Sequence, residues 1–565
     1  MATAITRKTK TVVALAFCGA LGLSACAGGG ASGGGGAGGG GGMIAQLTFP
    51  SDAPAAMGGL VDYNPYAVNA LTKTWLYEPL MVRNGITCQI TPWLATDYKW
   101  SSDAATLEFT IRDGVKWSDG QPLTAKDVAF TLNLAKTYPA IDRAAIWKPI
   151  FGAPATSVTA NANKVRIAFG GNAAPKFDEL IKLQILPEHV YSKVGDVTKY
   201  IDKAPVGSGP FKVGNYNGRR LELVRRADYW QADKIKVQKL ILEGNYDASQ
   251  AALKLRSGQL DAYWGEIPNP ERSFVGADKK TNHFWFAPNG ATVLSPNVQK
   301  VPFDDVKFRE AIAPALNREE MSQKATYGIM KPASQTGLKL PAAAKLLPEK
   351  YAANDGADTV IKFDAAKAAQ LLDAAGYAKG PDGKRKGKDG QPLNLTFTVQ
   401  AGYIDYQSMA EVVVRNLNSI GVTTKLNTTA PESVDAQKKS GDFQLMFEYI
   451  NGGCDNAKNF GGKLSSDQIP TKTEILPNVE RWNDPATDAT VKELSATTDE
   501  AKQKELVGTL VDTMMTQYPV TPLIYAPARI LYRTDKAVGW PSESDPYAQP
   551  ADDRLLIMTH LKPAK

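Results

Sequence analysis

The stretch that decides the fold is residues 107–130, LEFTIRDGVKWSDGQPLTAKDVAF. Residues 107–111 alternate apolar and polar side chains, and this period of two predicts a strand with one buried face. The Ser-Asp-Gly sequence at residues 118–120 predicts a turn, because glycine tolerates positive φ and aspartate bonds its own backbone. Thr124 can cap a following helix, with Asp127 three residues later in the positively polarised first turn. The local pattern is therefore strand–turn–helix.

The composition is that of an ordinary globular protein, with 43% hydrophobic and 22% charged residues. A length of 565 residues predicts two to four domains with ample core. The formal net charge is +7, but part of it lies within the first ten residues, and no concentrated basic face follows. Nucleic-acid binding is therefore not expected. The densest basic run, residues 384–388 (KRKGK), is flanked by Asp-Gly pairs and is predicted to be a solvated hairpin tip.

The N-terminus has the pattern of a bacterial export signal. Three basic residues precede an apolar run at residues 12–23 that is too short to form a stable membrane anchor. The following Leu-Ser-Ala-Cys sequence resembles a lipobox, in which small residues precede a cysteine that is diacylated and becomes the new N-terminus. Residues 1–25 are therefore predicted to be a lipoprotein signal peptide, with Cys26 carrying the lipid. An ordinary signal peptide with a chance cysteine is the alternative.

A glycine-rich tether follows the signal sequence. Residues 26–42 consist almost entirely of glycine and alanine, and such a chain is flexible, with a root-mean-square reach of about 20 Å. This pattern predicts a soluble body held by its lipid at the outer face of the cytoplasmic membrane, on the periplasmic or extracellular side of a bacterium. No later apolar run is long enough to predict another membrane span.

Two cysteines, Cys88 and Cys454, lie in the body of the chain. An exported compartment permits a disulfide between them. Their separation in sequence carries no information about their distance in space, so the sequence leaves open both a bridge and two free thiols.

Residue patterns typical of enzymes and metal sites are absent from the sequence. His189, His283 and His560 are the only histidines and are widely separated, so no histidine-built zinc site is predicted. The chain carries no nucleophile-elbow, zincin or phosphate-loop motif, and no cofactor is expected. A glycosidase that needs only two carboxylates is the alternative that motifs leave open.

Capping patterns predict further helices. Asp364 caps an alanine-rich helix that is expected to end at Gly376. A second helix is predicted at residues 410–420, and a third begins at Thr497 with Glu500 three residues later, as in a capping box.

Five stretches of sequence, in chain order, resemble one protein family: RDGVKWSDGQPLTAKDV (residues 112–128), PVGSGPFKV (205–213), SGQLD (257–261), FREAIAPALNREEM (308–321) and DAAGY (373–377). The family comprises the extracellular solute-binding proteins of ABC importers that bind oligopeptides, dipeptides and nickel, known as family 5. The resemblance covers almost all of residues 43–565. The chain departs from the family at Pro314, where the missing N–H and the ring predict a kinked helix.

The resemblance implies an α/β, two-lobed fold of the periplasmic-binding-protein type II kind, with an additional inserted subdomain. The implied layout is a first lobe at residues 43–70, 205–289 and 520–565, an inserted subdomain at 71–204 and a second lobe at 290–519. Residues 204–213 contain two prolines and two glycines, a composition that excludes a regular helix or a central strand. They are expected to cross from the inserted subdomain back into the first lobe.

By the same resemblance, the protein is the solute-capturing component of an ABC importer and not an enzyme. It is expected to close two lobes on a solute and to deliver that solute to a membrane permease and ATPase complex. Oligopeptides are the expected solute, oligosaccharides are the main alternative, and chelated nickel is a weaker option. The protein is expected to act as a monomer.

The resemblance also implies ligand contacts in three neighbourhoods and in the C-terminal tail. The neighbourhoods are an early Asn-Pro-Tyr loop, the residues after SGQLD and a glycine-rich loop after an apolar strand, while the tail tryptophan is typical of sugar-binding relatives. The implied contact residues are Tyr63, Asn64, Tyr263, Trp264, Tyr449, Asp455 and Trp540. Asp455 is expected to pair with the α-ammonium of a peptide, and a turn-making role is the alternative.

Overall fold

The computed structural model describes residues 42–51, 61–67, 73–150, 152–244 and 247–565. The predicted signal sequence, Cys26 and nearly all of the tether lie outside the described residues. The strands are β1 (Ile44–Pro50), β2 (Met81–Arg83), β3 (Ile90–Pro92), β4 (Ala95–Trp100), β5 (Thr106–Ile111), β6 (Ala155–Asn161), β7 (Lys164–Phe169), β8 (Phe211–Tyr216), β9 (Arg220–Arg225), β10 (Val237–Glu243), β11 (Ala262–Tyr263), β12 (Asn282–Pro296), β13 (Asn394–Gln400), β14 (Thr423–Thr429), β15 (Leu445–Ile450), β16 (Thr521–Arg533), β17 (Ala537–Val538) and β18 (Lys562–Pro563).

The α-helices vary from a single turn to eighteen residues. They are α1 (Lys73–Leu76), α2 (Ala125–Thr137), α3 (Phe177–Ile181), α4 (Glu188–Tyr191), α5 (Ala248–Arg256), α6 (Pro270–Ser273), α7 (Val306–Ile312), α8 (Arg318–Thr326), α9 (Ala365–Ala374), α10 (Ile404–Ser419), α11 (Pro431–Ser440), α12 (Asn456–Leu464), α13 (Pro485–Ala496), α14 (Glu500–Gln517) and α15 (Arg554–His560).

Residues 106–137 form the predicted strand–turn–helix unit. Strand β5 alternates buried and half-buried side chains along its length. The turn that follows contains Gly120 at φ +90°, whose N–H donates to the carbonyl of Trp117 at 3.0 Å. Helix α2 begins after Thr124, which forms the reciprocal hydrogen bonds of a capping box with Asp127. The sequence prediction for this unit is confirmed.

Two four-stranded sheets share one hydrophobic core. We call the part of the molecule built on them the first lobe, a name that here covers the predicted inserted subdomain as well. Strands β1, β10, β9 and β8 form one sheet, in which β1 is parallel to β10, and strands β4, β5, β7 and β6 form an antiparallel sheet. Their buried faces meet in a continuous cluster, the first core, which also includes residues from α15 near the C-terminus. The predicted boundary of an inserted subdomain is not tested by this shared core and stays a prediction.

The second lobe is built around a six-stranded mixed sheet in the order β11, β16, β12, β15, β13, β14. Both faces of this sheet are covered. Leu294 of β12 points into one core with α7, α9 and α10, while its neighbour Val293 points into another with α12, α13 and α14. Adjacent residues of a strand face opposite sides of a sheet, so a strand buried on both faces reads as a continuous apolar run.

Strands β12 and β16 connect the two lobes. They pair in antiparallel register from Asn282 and Arg533 at one end to Leu294 and Thr521 at the other. The ends of the pair contribute to different cores, because Ile530 and Tyr532 pack in the first core and residues 523–524 pack in the second lobe. The register is interrupted between Pro288 and Ala291. The predicted lobe boundary at residues 289–290 falls within this interruption and stays a prediction.

The segment at residues 204–210 lies outside any strand and directly precedes β8 in the chain. Gly209 donates its N–H to the carbonyl of Leu76 at 2.8 Å, and Gly207 accepts from the N–H of Ser118 at 2.9 Å. A Cβ on Gly207 would lie 2.0 Å from the Leu76 oxygen. The segment therefore packs directly on backbone, which only glycine permits.

Pro314 interrupts the helical region as the sequence predicts, and more completely than a kink. Helix α7 ends at Ile312, a 3-10 turn covers Ala313–Ala315, and α8 starts only at Arg318. Proline lacks the N–H that would continue the helix, and its ring clashes with the preceding turn.

Two other helix starts differ from the predictions. Helix α14 is capped by Asp499, whose side chain accepts the N–H of Lys502 at 2.8 Å, and not by Thr497. Helix α10 begins at position 404 rather than 410. The predicted helix at residues 364–376 is confirmed, with Asp364 as its cap.

The prediction that residues 384–388 form a solvated tip is wrong for Arg385. Its guanidinium is buried and donates to the carbonyls of Ile420 and Tyr377 and to the Asp373 carboxylate. Two turns flank it, and bridges between residues 379 and 385 and between 386 and 392 hold the run extended. In an extended run neighbouring side chains alternate sides, so one basic residue points inward while the lysines beside it stay in solvent.

Candidate functional site

A cavity of about 620 Å³ lies between the two lobes. The first lobe contributes the β2–β3 loop, one face of β4 and the start of α3, and the second lobe contributes the start of α12 and the α13–α14 connection. The lining residues that matter most below are Arg83, Cys88, Tyr98, Trp100, Phe177, Asp178, Cys454 and Asp455. A cavity of this size between two bodies is the usual setting for small-molecule binding.

Aromatic side chains form one wall of this cavity. The ring centroids of Tyr98 and Phe177 lie 4.4 Å apart, and those of Trp100 and Phe177 lie 6.1 Å apart. Tyr98 and Trp100 are two residues apart in β4, so they share a face of the strand. The sequence predictions did not include these residues, although the alternation of aromatic and polar side chains in β4 indicates a strand with an aromatic face.

Two adjoining cavities, of about 570 Å³ and 330 Å³, differ in charge. They share Arg83 and the loop at residues 451–454. Among the residues that they do not share, the first has five carboxylates and two lysines: Asp178, Glu179, Asp455, Asp552, Asp553, Lys182 and Lys458. The second has three lysines and one carboxylate: Lys339, Lys345, Lys504 and Glu500. We call these the acidic and the basic cavity.

Asp455 borders both the 620 Å³ cavity and the acidic cavity. It is the N-cap of α12, and its Oδ1 accepts the N–H of Lys458 at 2.9 Å. Burial raises the pKa of this carboxyl, and the hydrogen bond from the Lys458 N–H lowers it by less. The nearby Asp178 raises the pKa further, against smaller opposing effects of the Lys458 and Arg83 charges. Asp455 therefore both caps a helix and borders the cleft, so the turn-making role does not exclude a position in the cleft.

Tyr449 lines the acidic cavity from strand β15. Its hydroxyl donates a hydrogen bond to the carbonyl of Asn289, beside the register interruption in β12. Burial raises the pKa of Tyr449 to about 12. The hydroxyl therefore stays protonated at physiological pH and ties the second lobe to the linking strand.

Tyr63 and Asn64 lie in the first lobe and do not line the three cavities described above. Tyr63 is buried in the first core. The side-chain amide of Asn64 donates to the carbonyls of Val197 at 2.9 Å and Tyr200 at 3.1 Å. These bonds hold the Asn-Pro-Tyr loop against the chain that precedes the crossing segment.

The structure also places Tyr263, Trp264 and Trp540 away from these cavities. Tyr263 packs beside the small apolar cluster around α5. Trp264 packs against the first core and donates from Nε1 to the carbonyl of Pro550 at 2.5 Å. Trp540 is buried in the same core and donates to the carbonyl of Ala537 at 2.9 Å. Of the predicted contact residues, only Tyr449 and Asp455 border the cleft, and a direct role of the set in binding stays a prediction.

Cys88 and Cys454 form a disulfide across the cleft, with their Cα atoms 5.4 Å apart. Cys88 belongs to the β2–β3 loop of the first lobe, and Cys454 follows β15 of the second lobe. Both sulfurs belong to half-buried residues, and both residues line the 620 Å³ cavity and the basic cavity. The bridge thus settles the question that the sequence left open and stands where the three cavities meet.

Lys339 reaches across the cleft beside this bridge. Its ammonium donates to the carbonyl of Gly85 in the first lobe at 2.5 Å and to that of Gly452 in the second lobe at 3.0 Å. Burial lowers the pKa of Lys339 to about 8, while Asp553 and Asp552 act in the opposite direction. This lysine was missed by the sequence predictions, because nothing in its local sequence indicates that the chain folds back over the cleft.

Two polar contacts join the lobes elsewhere. Lys458 and Glu179 form an ion pair with 3.4 Å between Nζ and Oε1, and both side chains are largely exposed. The amide of Asn172 donates to the carbonyl of Ala496 at 2.6 Å. In the described part of the chain, no group of three or more His, Cys, Asp or Glu side chains is arranged to hold a metal ion.

A sequence model described as "Bacterial extracellular solute-binding proteins, family 5 Middle" matches residues 89–470, more than half of the chain. The "Nickel-binding periplasmic protein" of Escherichia coli (strain K12) is 24% identical over 502 residues, which is 87% of this chain and 90% of the relative. The "Di/tripeptide-binding protein 1" of Pseudomonas aeruginosa (strain UCBPP-PA14) is 26% identical over 473 residues, with 78% and 82% covered.

A solved structure of a periplasmic oligopeptide-binding protein from Thermotoga maritima superposes with a TM-score of 0.77 at 23% identity, covering 92% of this chain and 99% of that one. The same protein solved with mannohexaose bound gives a TM-score of 0.69 at 22% identity, with the same coverage. At these identities the likeness establishes the two-lobed α/β binding-protein fold.

Proposed function

The chain belongs to the bacterial extracellular solute-binding proteins of family 5, and from this premise we propose that it captures short peptides between its lobes for import. Members of this family are the solute-binding components of ABC importers and are not enzymes. The proposed partners are a membrane permease and its ATPase. The protein acts as a monomer, held at the outer face of the cytoplasmic membrane by lipid on Cys26. Binding favours the closed arrangement because a solute that touches both lobes has a higher affinity for it.

The charge difference between the two adjoining cavities is the observation that supports a peptide. A free peptide carries an ammonium group at one end and a carboxylate at the other. The acidic cavity suits the ammonium and the basic cavity suits the carboxylate, since opposite charges in a partly dehydrated cleft attract more strongly than in water. A neutral solute would gain nothing from this arrangement.

Asp455 is the residue proposed to pair with the peptide ammonium. Helix capping engages one carboxylate oxygen, Oδ1, and the residue borders both the acidic cavity and the 620 Å³ cavity. Removing one partner of a buried charged pair costs about 2–5 kcal/mol, which is roughly 30-fold to several thousand-fold in affinity. Because protonation of Asp455 competes with binding and its pKa is raised, peptide affinity should begin to fall at a higher pH than for an exposed aspartate.

Calorimetric titration tests this proposal. A pool of free tripeptides should bind the wild-type protein, and N-acetylated versions of the same peptides should bind far more weakly because they lack the ammonium. Asp455→Asn should lose roughly 30-fold or more in affinity for the free peptides. Asp435→Asn, at an exposed position on α11, is the matched control and should bind like wild type. Equal affinity for free and acetylated peptides would contradict the pairing of Asp455 with the ammonium, and binding of neither form would remove the peptide assignment.

Oligosaccharide binding is the second candidate, and the aromatic wall of Tyr98, Trp100 and Phe177 favours it. Sugar rings stack on such faces, and the Thermotoga maritima protein was solved with mannohexaose bound. Trp264 packs against the first core and Trp540 is buried in it, so Trp100→Ala is the sharper test of sugar binding. Under the sugar assignment, Trp100→Ala should abolish binding of manno- or cello-oligosaccharides while Asp455→Asn leaves it unchanged. Histidine-chelated nickel is a third titrant in the same series.

A further inference from the structure

The disulfide between Cys88 and Cys454 joins the two parts of the molecule whose relative movement binding requires. We propose that this bridge is a thiol–disulfide exchange site that latches the cleft. In its oxidised form it holds the lobes together around the cavities, and a dithiol that reduces it allows them to separate. The proposal rests on lobe closure in the proposed function and does not depend on a peptide as the solute.

The geometry of a disulfide explains why the bridge restricts opening. Bridged cysteines keep their Cα atoms within about 7 Å of each other, and here that distance is 5.4 Å. The lobes are otherwise connected through β12 and β16, whose register is interrupted between Pro288 and Ala291. Bending at such an interruption is the usual way for two lobes to separate, and it would carry the cleft loops apart. The covalent bond opposes this movement.

The non-covalent contacts across the cleft do not provide an equivalent restraint. The pair of Lys458 and Glu179 is exposed on both sides, and exposed ion pairs contribute little to holding surfaces together. The hydrogen bonds of Asn172 and Lys339 can be exchanged for bonds to water once the cleft opens. Breaking the disulfide therefore removes the strongest of the described links between the β2–β3 loop and the second lobe.

The bridge is also accessible to a reductant. Cys88 and Cys454 are half-buried and line cavities that open to solvent. A thiolate of the dithiol attacks one sulfur, forming a mixed disulfide and releasing the other cysteine as a thiolate that takes up a proton. The second thiol of the dithiol then displaces the remaining cysteine. Two electrons pass to the bridge, both cysteines become thiols, and the dithiol becomes a disulfide. The proposed partner is a protein dithiol of the extracytoplasmic compartment.

The test compares three forms of the full chain without any solute: protein purified without reductant, the same protein after dithiothreitol, and the Cys88→Ser/Cys454→Ser double variant. Peptide mapping of the first form should show the two cysteines linked. Reduction should increase the radius of gyration in small-angle X-ray scattering. It should also accelerate amide hydrogen exchange at residues 84–88 and 451–456 by about tenfold or more, with β5 unchanged. The double variant should match the reduced form, with or without dithiothreitol.

Three results would overturn the latch. Alkylation of both cysteines in protein purified without reductant would show that the bridge does not form. An unchanged radius of gyration and unchanged exchange at the cleft would show that it does not restrain the lobes. A lower melting temperature after reduction, with no local change at the cleft, would assign the bridge to stability alone. Because no solute is needed, failure of peptide binding would not be mistaken for failure of the latch.

Discussion

At the scale of single residues, Glu78 shows how the first core controls a charge. Its Oε1 accepts hydrogen bonds from Trp93 Nε1 at 2.6 Å, from the Tyr229 hydroxyl at 2.7 Å and from Trp230 Nε1 at 3.1 Å. The side chain is fully buried. Burial raises the pKa of Glu78 to about 7, and the three hydrogen bonds lower it by less.

This environment predicts a pH-dependent effect of Glu78→Gln. The folded-state pKa is above the unfolded value, so the contribution of Glu78 to stability is full below about pH 4.5 and is lost as the pH rises to about 7. Glutamine does not titrate, so the free energy of unfolding of the wild type relative to the variant should fall by about 2–3 kcal/mol between pH 5 and pH 8. The charge of Arg226 also lowers the pKa of Glu78, by less than burial raises it.

Urea denaturation at the two pH values measures this difference. Glu474→Gln, at an exposed loop position, should show no such change and serves as the control. Parallel pH profiles for the wild type and Glu78→Gln would contradict the assignment of a raised pKa to this carboxyl.

The site residues divide by how local their signals are. The family resemblance implied ligand contacts for Asp455 and Tyr449 at a glycine-rich loop after an apolar strand, and the structure has both residues at the border of the acidic cavity. The roles of Lys339 and of Cys454 as the partner of Cys88 could not be predicted, because they arise only when distant parts of the chain meet. The predicted exposure of Arg385 was wrong for a related reason. Flanking turns predicted exposure, but the acceptors that bind its buried guanidinium come from helix α9 and from the residue after helix α10.

At the scale of elements, the crossing segment at residues 204–210 carries the sharpest prediction. A Cβ on Gly207 would lie 2.0 Å from the backbone oxygen of Leu76, so Gly207→Ala must displace helix α1 or the segment itself. Overpacking of this kind costs about 1–3 kcal/mol, and contact with backbone places this site at the upper end. Gly195→Ala is the matched control, since a Cβ there meets no atom within 4 Å.

Thermal unfolding of the two alanine variants decides the point. The Gly195 variant should melt within about a degree of the wild type or slightly above it, because alanine restricts the unfolded chain. The Gly207 variant should melt several degrees lower. Equal melting temperatures would show that the segment has room that the structure does not indicate.

Helix boundaries show which elements the sequence can specify. The caps at Thr124 and Asp364 are confirmed because each acts on the turn immediately after it. The start of α10 was placed too late, since Tyr406 packs on Phe447 of the neighbouring strand and supports the first turn through tertiary contact. Packing of that kind overrides local preference and cannot be read from one segment.

At the scale of the whole molecule, the predicted lipid on Cys26 determines where binding takes place. Diacylation supplies the two chains that a stable anchor needs, and no helix within the described ranges is both long and apolar enough to span a bilayer. Cys26→Ser should therefore release the protein from membranes or stall its processing. Membrane fractionation and intact-mass analysis measure the two outcomes. Undiminished membrane retention of a processed Cys26→Ser protein would contradict the lipoprotein prediction.

The two-lobed arrangement was predictable only through resemblance. Alternation and capping gave individual strands and helices, but no local signal states that β12 and β16 run from one core to the other. The five family-like stretches predicted the two-lobed fold because they occur along this chain in the same order as in the family. The separation of the cleft into acidic and basic cavities came from neither source, since its residues are spread from Arg83 to Asp553.

The position of strand β16 in the fold has a consequence for how the newly synthesised protein folds. It belongs to the sheet of the second lobe, and its far end packs in the first core, which also holds Leu47 from the beginning of the described chain. A chain in which residues 521–533 are not yet available for folding can therefore complete neither lobe. Cys88 can form its native disulfide only once Cys454, 366 residues later in the chain, is also present. We therefore expect both lobes to complete their folding late and together, and we expect a chain truncated before β16 to be degraded.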